Sequence, residues 1–267
     1  MRIVIYTSEN RGPYNDYNLA QLIVQRPEHE YLVVSVNRHS PKITNWIRFK
    51  RFVVGIRDGQ NHWLKDQERL SKKINQKIDP GHFRSQKKLL VNKVNDQESV
   101  KVIKEFDPDI IIQSGAGILK ENIFSLAKIA TLNVHHGLAP EIRGMHSTYW
   151  CLVYGLTDSI GVTCHLIDKN LDTGNVINRF EYPYSKGDDF ISIQTRLCEE
   201  GAKLLIEAID RLENTELRWK TEEVKSYYFS KMLHEDYNAL HKNGFAPIKS
   251  DDLNSLAYTM KPKTYLD

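Results

Sequence analysis

The sequence predicts an α/β protein built on a doubly wound, mostly parallel sheet. Three observations carry that expectation. Short apolar runs of strand length at 1–7, 31–36, 109–113 and 129–134 are interspersed with segments of helical periodicity at 18–24 and 97–106, and a longer helical pattern follows at 191–212. Two of the runs empty into breakers, Ser114-Gly-Ala-Gly117 and Gly137 to Pro140. At the second of these ends, Asn133 and His135 lie two residues apart in a strand and so share one face. In an open, mostly parallel sheet that crevice is where ligands bind.

With 267 residues, 40% hydrophobic and 27% charged, the chain can bury a substantial core as a soluble globular protein. Residues 1–214 are expected to form the main domain, carrying a basic insertion at about 37–95, with 215–267 as a C-terminal extension. The opening Met1-Arg-Ile-Val-Ile-Tyr-Thr7 has strand length and lacks the build of a signal peptide, and no stretch approaches the roughly 20 apolar residues of a membrane span. A cytoplasmic protein with no membrane insertion is expected. Cys151, Cys164 and Cys198 are odd in number and widely spaced, which predicts buried reduced thiols and neither a disulfide framework nor a zinc knuckle. A net charge of +3 is too small to indicate nucleic acid by itself.

In chain order, residues 1–7, 18–24 and 31–36 give the β-α-β opening. The turn Ser8-Glu-Asn-Arg-Gly12 is not a Gly-x-Gly-x-x-Gly loop, which argues against a dinucleotide site there. Between Arg38 and Lys93 there are 15 Lys or Arg against 4 Asp or Glu, with Trp46, Phe49, Phe52 and Trp63 interleaved. One or two helices with a solvated basic face account for this pattern; a phosphate-bearing small molecule is the functional alternative. Gln97 to Phe106 reads as an amphipathic helix stopped by Asp107-Pro108, followed by a buried strand, a glycine turn and a helix from Lys120 to Ala127. Pro140 to Gly144 is expected as a loop, and Ser147 as the N-cap of a helix through Tyr154. Ser159 to Ile167 alternates as a strand with Thr163 and His165 on one face. Ile191 to Leu212 is a long amphipathic helix.

The run Asn133-Val-His135, Leu138-Ala-Pro140, Arg143-Gly144, Gly161-Val-Thr-Cys-His165 and Leu171-Asp172-Thr-Gly174-Asn-Val-Ile177, in this order, resembles the folate-dependent formyltransferases. That family includes glycinamide ribonucleotide formyltransferase, methionyl-tRNA formyltransferase and the sugar N-formyltransferases. The resemblance covers about 109–210 and implies a Rossmann-like formyltransferase fold with N10-formyltetrahydrofolate as co-substrate and no metal. It implies that Ala116, Gly117, Ile118 and Leu119 line the folate pocket with backbone groups and apolar side chains, with Asp168 and Leu171 also at that pocket. Gly117 stands where some relatives carry Arg, and Ile142 where an aromatic residue is common. The missing glycine-rich phosphate turn argues against glycinamide ribonucleotide as acceptor. The short aromatic tail, with Tyr227-Tyr-Phe-Ser-Lys231, resembles the appendage of sugar N-formyltransferases more than the barrel domain of tRNA-modifying relatives. The expected acceptor is therefore a nucleotide-linked amino sugar, with no nucleic-acid partner; a second copy of the chain is left open as a partner.

Formyl transfer to an amine needs a stabilised oxyanion and a proton route. Asn133 can donate an amide hydrogen to the oxyanion, His135 can stabilise it or exchange the proton, and Asp172 can favour the imidazolium and relay the proton through water. His165 is assigned support or substrate contact. Competing readings are weaker. His135, His136, His146 and His165 lack the spacing of a helical metal site, and Asp168-x-Asn-x-Asp-x-Gly has Thr173 and Arg179 where a calcium loop needs Gly and Glu. Ser114 lacks the flanking Gly-x-Ser-x-Gly turn of a serine hydrolase. Formyl transfer to another amine or to water, and a non-catalytic RNA- or membrane-binding module, are the alternatives kept.

Overall fold

The computed structural model describes residues 1–8, 13–37, 62–78, 86–214, 219–221, 223–232, 234–249, 253, 257–260 and 263–265. Much of the basic segment, including Trp46, Phe49 and Phe52, lies outside the described residues. The elements run β1 (Arg2–Ser8), α1 (Pro13–Gln25), β2 (Glu30–Val36), α2 (His62–Asn75), β3 (Lys87–Val91), α3 (Gln97–Phe106), β4 (Ile110–Ser114), α4 (Glu121–Phe124), β5 (Ala130–His135), β6 (Ile142–Gly144) and α5 (Ser147–Tyr154). A 3-10 turn at Thr157–Ser159 leads to β7 (Gly161–Leu166), β8 (Val176–Glu181), α6 (Phe190–Asn214), β9 (Trp219–Thr221), β10 (Val224–Phe229), α7 (His234–Lys242), β11 (Ala257–Met260) and β12 (Lys263–Tyr265).

The main sheet has the order β3-β2-β1-β4-β5-β7-β8-β12-β9, and its first five strands are all parallel. The expected doubly wound sheet is therefore present. Alternation along β1 sends Ile3 and Ile5 into the larger core with Leu19, Leu132, Leu197 and Leu205, while Val4 and Tyr6 enter a second core with Ile103, Phe106 and Ile123. Burial on both faces explains why these strands read as unbroken apolar runs. α3 has the expected bounds: Asp96 accepts from the Ser99 amide at 2.9 Å, and Asp107 closes the helix in a left-handed conformation at φ 51° before Pro108.

Four local expectations need correction. The helix from Lys120 to Ala127 is a single turn, because Lys128 and Ile129 bond back to the carbonyls of Pro108 and Asp109 to begin the next strand. Pro140 to Gly144 is not all loop: Ile142–Gly144 is a strand, paired in parallel with Tyr227–Phe229 of β10. Ser147 does not cap α5; His146 occupies that position at φ 59°, and the Ser147 hydroxyl turns towards His135. Finally, the basic segment contributes the edge strand β3 as well as α2, with Lys87 and Lys88 exposed on it, a charge pattern that discourages edge-to-edge pairing.

The C-terminal stretch packs on the rest of the chain. β10 and β11 form a small sheet with β6, and Thr264 of β12 pairs with Val176 of β8. Tyr237 of α7 donates its hydroxyl to Asp66 of α2, and Tyr237 and Leu240 sit in the main core. Among the described residues, no helix is long and apolar enough to cross a membrane. Leu240→Ala is expected to destabilise the protein by about 2–5 kcal/mol, read from urea denaturation. A loss below about 0.5 kcal/mol, the size of an ordinary surface substitution, would put the tail outside the cooperative unit.

Candidate active site

β5 and β7 run antiparallel, with Asn133 opposite His165 and His135 opposite Thr163. Directly opposed residues share a face, so two imidazoles and an amide gather on one side of the sheet. The Asn133 Nδ2 lies 3.2 Å from the His165 Nε2. Because the His165 Nδ1 lies 2.8 Å from the Leu166 carbonyl, which only accepts, the proton is on Nδ1 and Nε2 accepts from Asn133. The same logic puts the His135 proton on Nε2, 3.0 Å from the Ile142 carbonyl, and leaves a lone pair on Nδ1. Thr163 shapes the chain after β5 by donating to the Gly137 carbonyl at 2.8 Å and accepting from the Ala139 amide at 3.0 Å.

Asp172 closes the group. Its Oδ2 stands 3.7 Å from the His135 Nδ1, and its Oδ1 stands 3.8 Å from the His165 Nε2. The Gly144 amide donates to Oδ2 at 2.9 Å. Burial opposes the charge, yet the positive charge of His135 or His165 when protonated, the Gly144 amide and Arg143 together outweigh it and hold the Asp172 carboxyl below its ordinary range. For His165 burial dominates and lowers the pKa, with Asp172 opposing. The loop that carries Asp172 needs its glycine: a Cβ at Gly174 would stand 1.7 Å from the Leu166 carbonyl oxygen.

Asn133, His165 and Asp172 form part of the wall of a cavity of about 460 Å³. Of the residues expected at a folate pocket, Gly117, Ile118, Leu119, Asp168 and Leu171 line it. Ala116 does not: its side chain is fully buried in the second core with Tyr6 and Ile123. His135 is also not among the lining residues; its Nδ1 lies 3.7 Å from Asp172, which is one of them. Asp168 spends its carboxylate on its own loop, accepting from the Thr173 hydroxyl at 2.7 Å and the Asn170 amide at 3.0 Å. Sequence reasoning missed Gln113, which lines the cavity and bonds the Gly117 carbonyl at 3.0 Å. It also missed Asn95, which clamps the same turn through the Ile118 carbonyl at 2.9 Å and the Lys120 amide at 2.8 Å. A polar residue closing an apolar strand was the available signal for Gln113; nothing local marks Asn95. Among the described residues no group of three or more His, Cys, Asp or Glu could hold a metal ion.

A sequence profile described as Formyl transferase matches residues 64–209, more than half of the chain and all four polar residues of this cluster. The chain belongs to the formyl transferase family. It is 34% identical over 173 residues to the methionyl-tRNA formyltransferase of Sulfurihydrogenibium sp. (strain YO3AOP1), an alignment covering 64% of this chain and 54% of that protein. The chain thus spans about half the length of the curated relatives it matches. Among solved formyl transferases, a sugar N-formyltransferase from Shewanella sp FDAARGOS_354 aligns with a TM-score of 0.55 over 100% of this chain and 96% of that one, at 15% identity. The formyltransferase PseJ from Anoxybacillus kamchatkensis, solved with UDP-4,6-dideoxy-4-formamido-L-AltNAc and tetrahydrofolate, aligns with a TM-score of 0.52 over 92% and 94%, at 18% identity. At these identities the structural likeness establishes the fold and leaves the acceptor to other arguments.

Next to the cluster, both ring nitrogens of His136 are sealed from water, and burial pushes its pKa down to about 4 despite a hydrogen bond with Gln194 of α6. The folded chain therefore holds His136 neutral where the unfolded chain takes up a proton. Its contribution is complete above about pH 6.5 and is lost as pH falls towards 4, an effect of about 3 kcal/mol. Urea denaturation at pH 7 and near pH 4.5 is expected to show that loss in the native sequence and a shallower one in His136→Gln. Equal slopes would assign the pH dependence to other groups.

Proposed function

We propose that the chain transfers the formyl group of N10-formyltetrahydrofolate to the amine of a nucleotide-linked amino sugar. The observation that carries the reading is the cavity of about 460 Å³ whose wall ends on Asn133, His165 and Asp172. Its size suits a cofactor-sized ligand, and it joins apolar surface from Ile118, Leu119, Ile167 and Leu171 to a few convergent polar groups. That composition fits a flat pterin held by backbone groups at Gly115 and Gly117, with its reacting end at the polar cluster.

In this reading, Asn133 gives one amide hydrogen to His165 and keeps the other for the formyl oxygen, which gains negative charge as the amine attacks. The buried His165 stays neutral and orients that amide. His135, with its Nδ1 lone pair towards Asp172, takes the proton that the amine releases, and the carboxylate opposite stabilises the resulting imidazolium. The proton then passes by Asp172 and water to N10 of the folate as the bond between N10 and the formyl carbon breaks and tetrahydrofolate leaves. Asp172 lines the cavity and so connects the incoming amine with His135. The amino sugar is favoured over methionyl-tRNA by the half-exposed Tyr228 of β10, whose ring lies against Arg143 and offers an aromatic face of the kind a sugar or base packs on. The 34% identity to a methionyl-tRNA formyltransferase makes tRNA the second acceptor to test.

Asn133→Ala is expected to lower kcat by about 10²–10³, the usual result of deleting one oxyanion donor. Asp172→Asn should do comparable damage, and the double variant should be hardly worse than either, as for residues acting as one unit. Mass-detected formyl transfer from N10-formyltetrahydrofolate to amino-sugar nucleotides, to methionyl-tRNA and to water decides the acceptor. Turnover with tRNA alone would overturn the sugar assignment, and release of formate alone would make the protein a hydrolase. No turnover with any acceptor would remove the enzyme reading altogether.

A further inference from the structure

Arg143 brings a guanidinium into the interior, where the residue is only 6% exposed. A buried charge of this kind is tolerated when its hydrogen bonds are met. Nη1 donates to the Leu171 carbonyl at 2.8 Å, on the peptide immediately before Asp172. Nε donates to the Ser226 hydroxyl at 3.1 Å, and that hydroxyl donates in turn to the Pro140 carbonyl at 2.6 Å. The residue after Arg143 is Gly144, whose amide holds the Asp172 carboxylate. Gly144 has φ +95°, and a Cβ there would lie 2.0 Å from the Phe229 carbonyl oxygen, so β6 and β10 touch too closely for any side chain at this point. Asp172 itself adopts φ 52°, a left-handed conformation that a non-glycine residue keeps only when its surroundings impose it.

We propose that Arg143 is a positioning residue for the Asp172 carboxylate, and that Ser226, on the C-terminal strand β10, sets Arg143 in turn. The guanidinium grips the peptide in front of Asp172, while the next residue on the same short strand grips the carboxylate. Both ends of one aspartate are therefore referred to β6. β6 is a three-residue strand held by its parallel pairing with β10, with Tyr228 opposite Arg143. By this route the C-terminal segment takes part in the reaction without touching the reacting atoms. The kinetic side of the proposal rests on the formyl-transfer reading; the geometric side does not.

The test uses the full chain carrying Arg143→Lys or Ser226→Ala. A lysine keeps the charge but is a single point donor and cannot span both the Leu171 carbonyl and Ser226. The expected result for Arg143→Lys is a fall in kcat of about 10–100-fold, the usual size for a residue that orients another, with KM for N10-formyltetrahydrofolate little changed. Ser226→Ala should give a smaller fall in the same direction, and it decides the matter if Arg143→Lys does not fold. Carbon-13 NMR titration of the Asp172 carboxyl supplies a readout without turnover: its midpoint should move upward in both variants as the Gly144 contact loosens. A midpoint that stays put overturns the proposal whatever the activity, and a moved midpoint with full kcat overturns it too. A native chain with no formyl transfer would sink the proposed function, while the titration would still decide whether Arg143 positions Asp172.

Discussion

The site depends on keeping one carboxylate charged where water is scarce. Asp172 has a side chain only about 10% exposed and a backbone conformation that costs L-residues about 1–2 kcal/mol. Taking a carboxylate out of water costs several kcal/mol more. Neither cost is met by a single strong contact. The Gly144 amide and the Arg143 guanidinium on β6, and the charge that either imidazole carries once protonated, 3.7 and 3.8 Å away on β5 and β7, together outweigh the burial. The antiparallel pairing of β5 with β7, the short strand β6 and the loop after β7 can be understood as the scaffolding this convergence needs.

That scaffolding explains why the sheet stops being parallel where it does. Five parallel strands bring their carboxyl ends to one edge, where β5 delivers Asn133 and His135. A further parallel neighbour would carry its own polar residues to the same edge but would need a crossover before returning. Reversing direction at β7 sets His165 level with Asn133 directly across the pair. The chain leaving β7 then forms the 168–174 loop, which Gly174 allows to press against the Leu166 carbonyl. The Thr173 hydroxyl and the Asn170 amide, both donating to Asp168, shape this loop from within.

Much of this was legible in the sequence, and the part that was not has a common cause. Period-two alternation placed Asn133 and His135 on one face and Thr163 with His165 on another strand, because side-chain direction in a strand is a local property. The bounds of α3 were legible for the same reason, since Asp96 and Asp107-Pro108 act on their own neighbours. The failures are non-local. β6 is three residues long and exists because a strand some 85 positions later pairs with it; its own sequence carries no strand signal. Ser147 has the residue type of a cap, but His135 competes for its hydroxyl. Ala116 belongs to a turn that does reach the cavity, yet the turn's own geometry sends this one side chain into the core. Arg143 was visible as part of a motif, whereas its reach to Leu171 and Ser226 depends on two distant segments meeting.

Neighbouring carbonyls fix the two histidines as opposite tautomers. The Leu166 carbonyl takes the Nδ1 hydrogen of His165, and the Ile142 carbonyl takes the Nε2 hydrogen of His135. His165 therefore faces the cluster as an acceptor and orients an amide, whereas His135 presents a basic nitrogen to the carboxylate. A proton arriving at the His135 Nδ1 is met by Asp172. A second, on His165, would be opposed by burial and by the first charge, with ring centres 6.4 Å apart. On the proposed formyl-transfer reading, the cluster holds one mobile proton beside one fixed negative charge. That arrangement, set by backbone carbonyls, is the one the proposed transfer from a neutral donor to an amine needs.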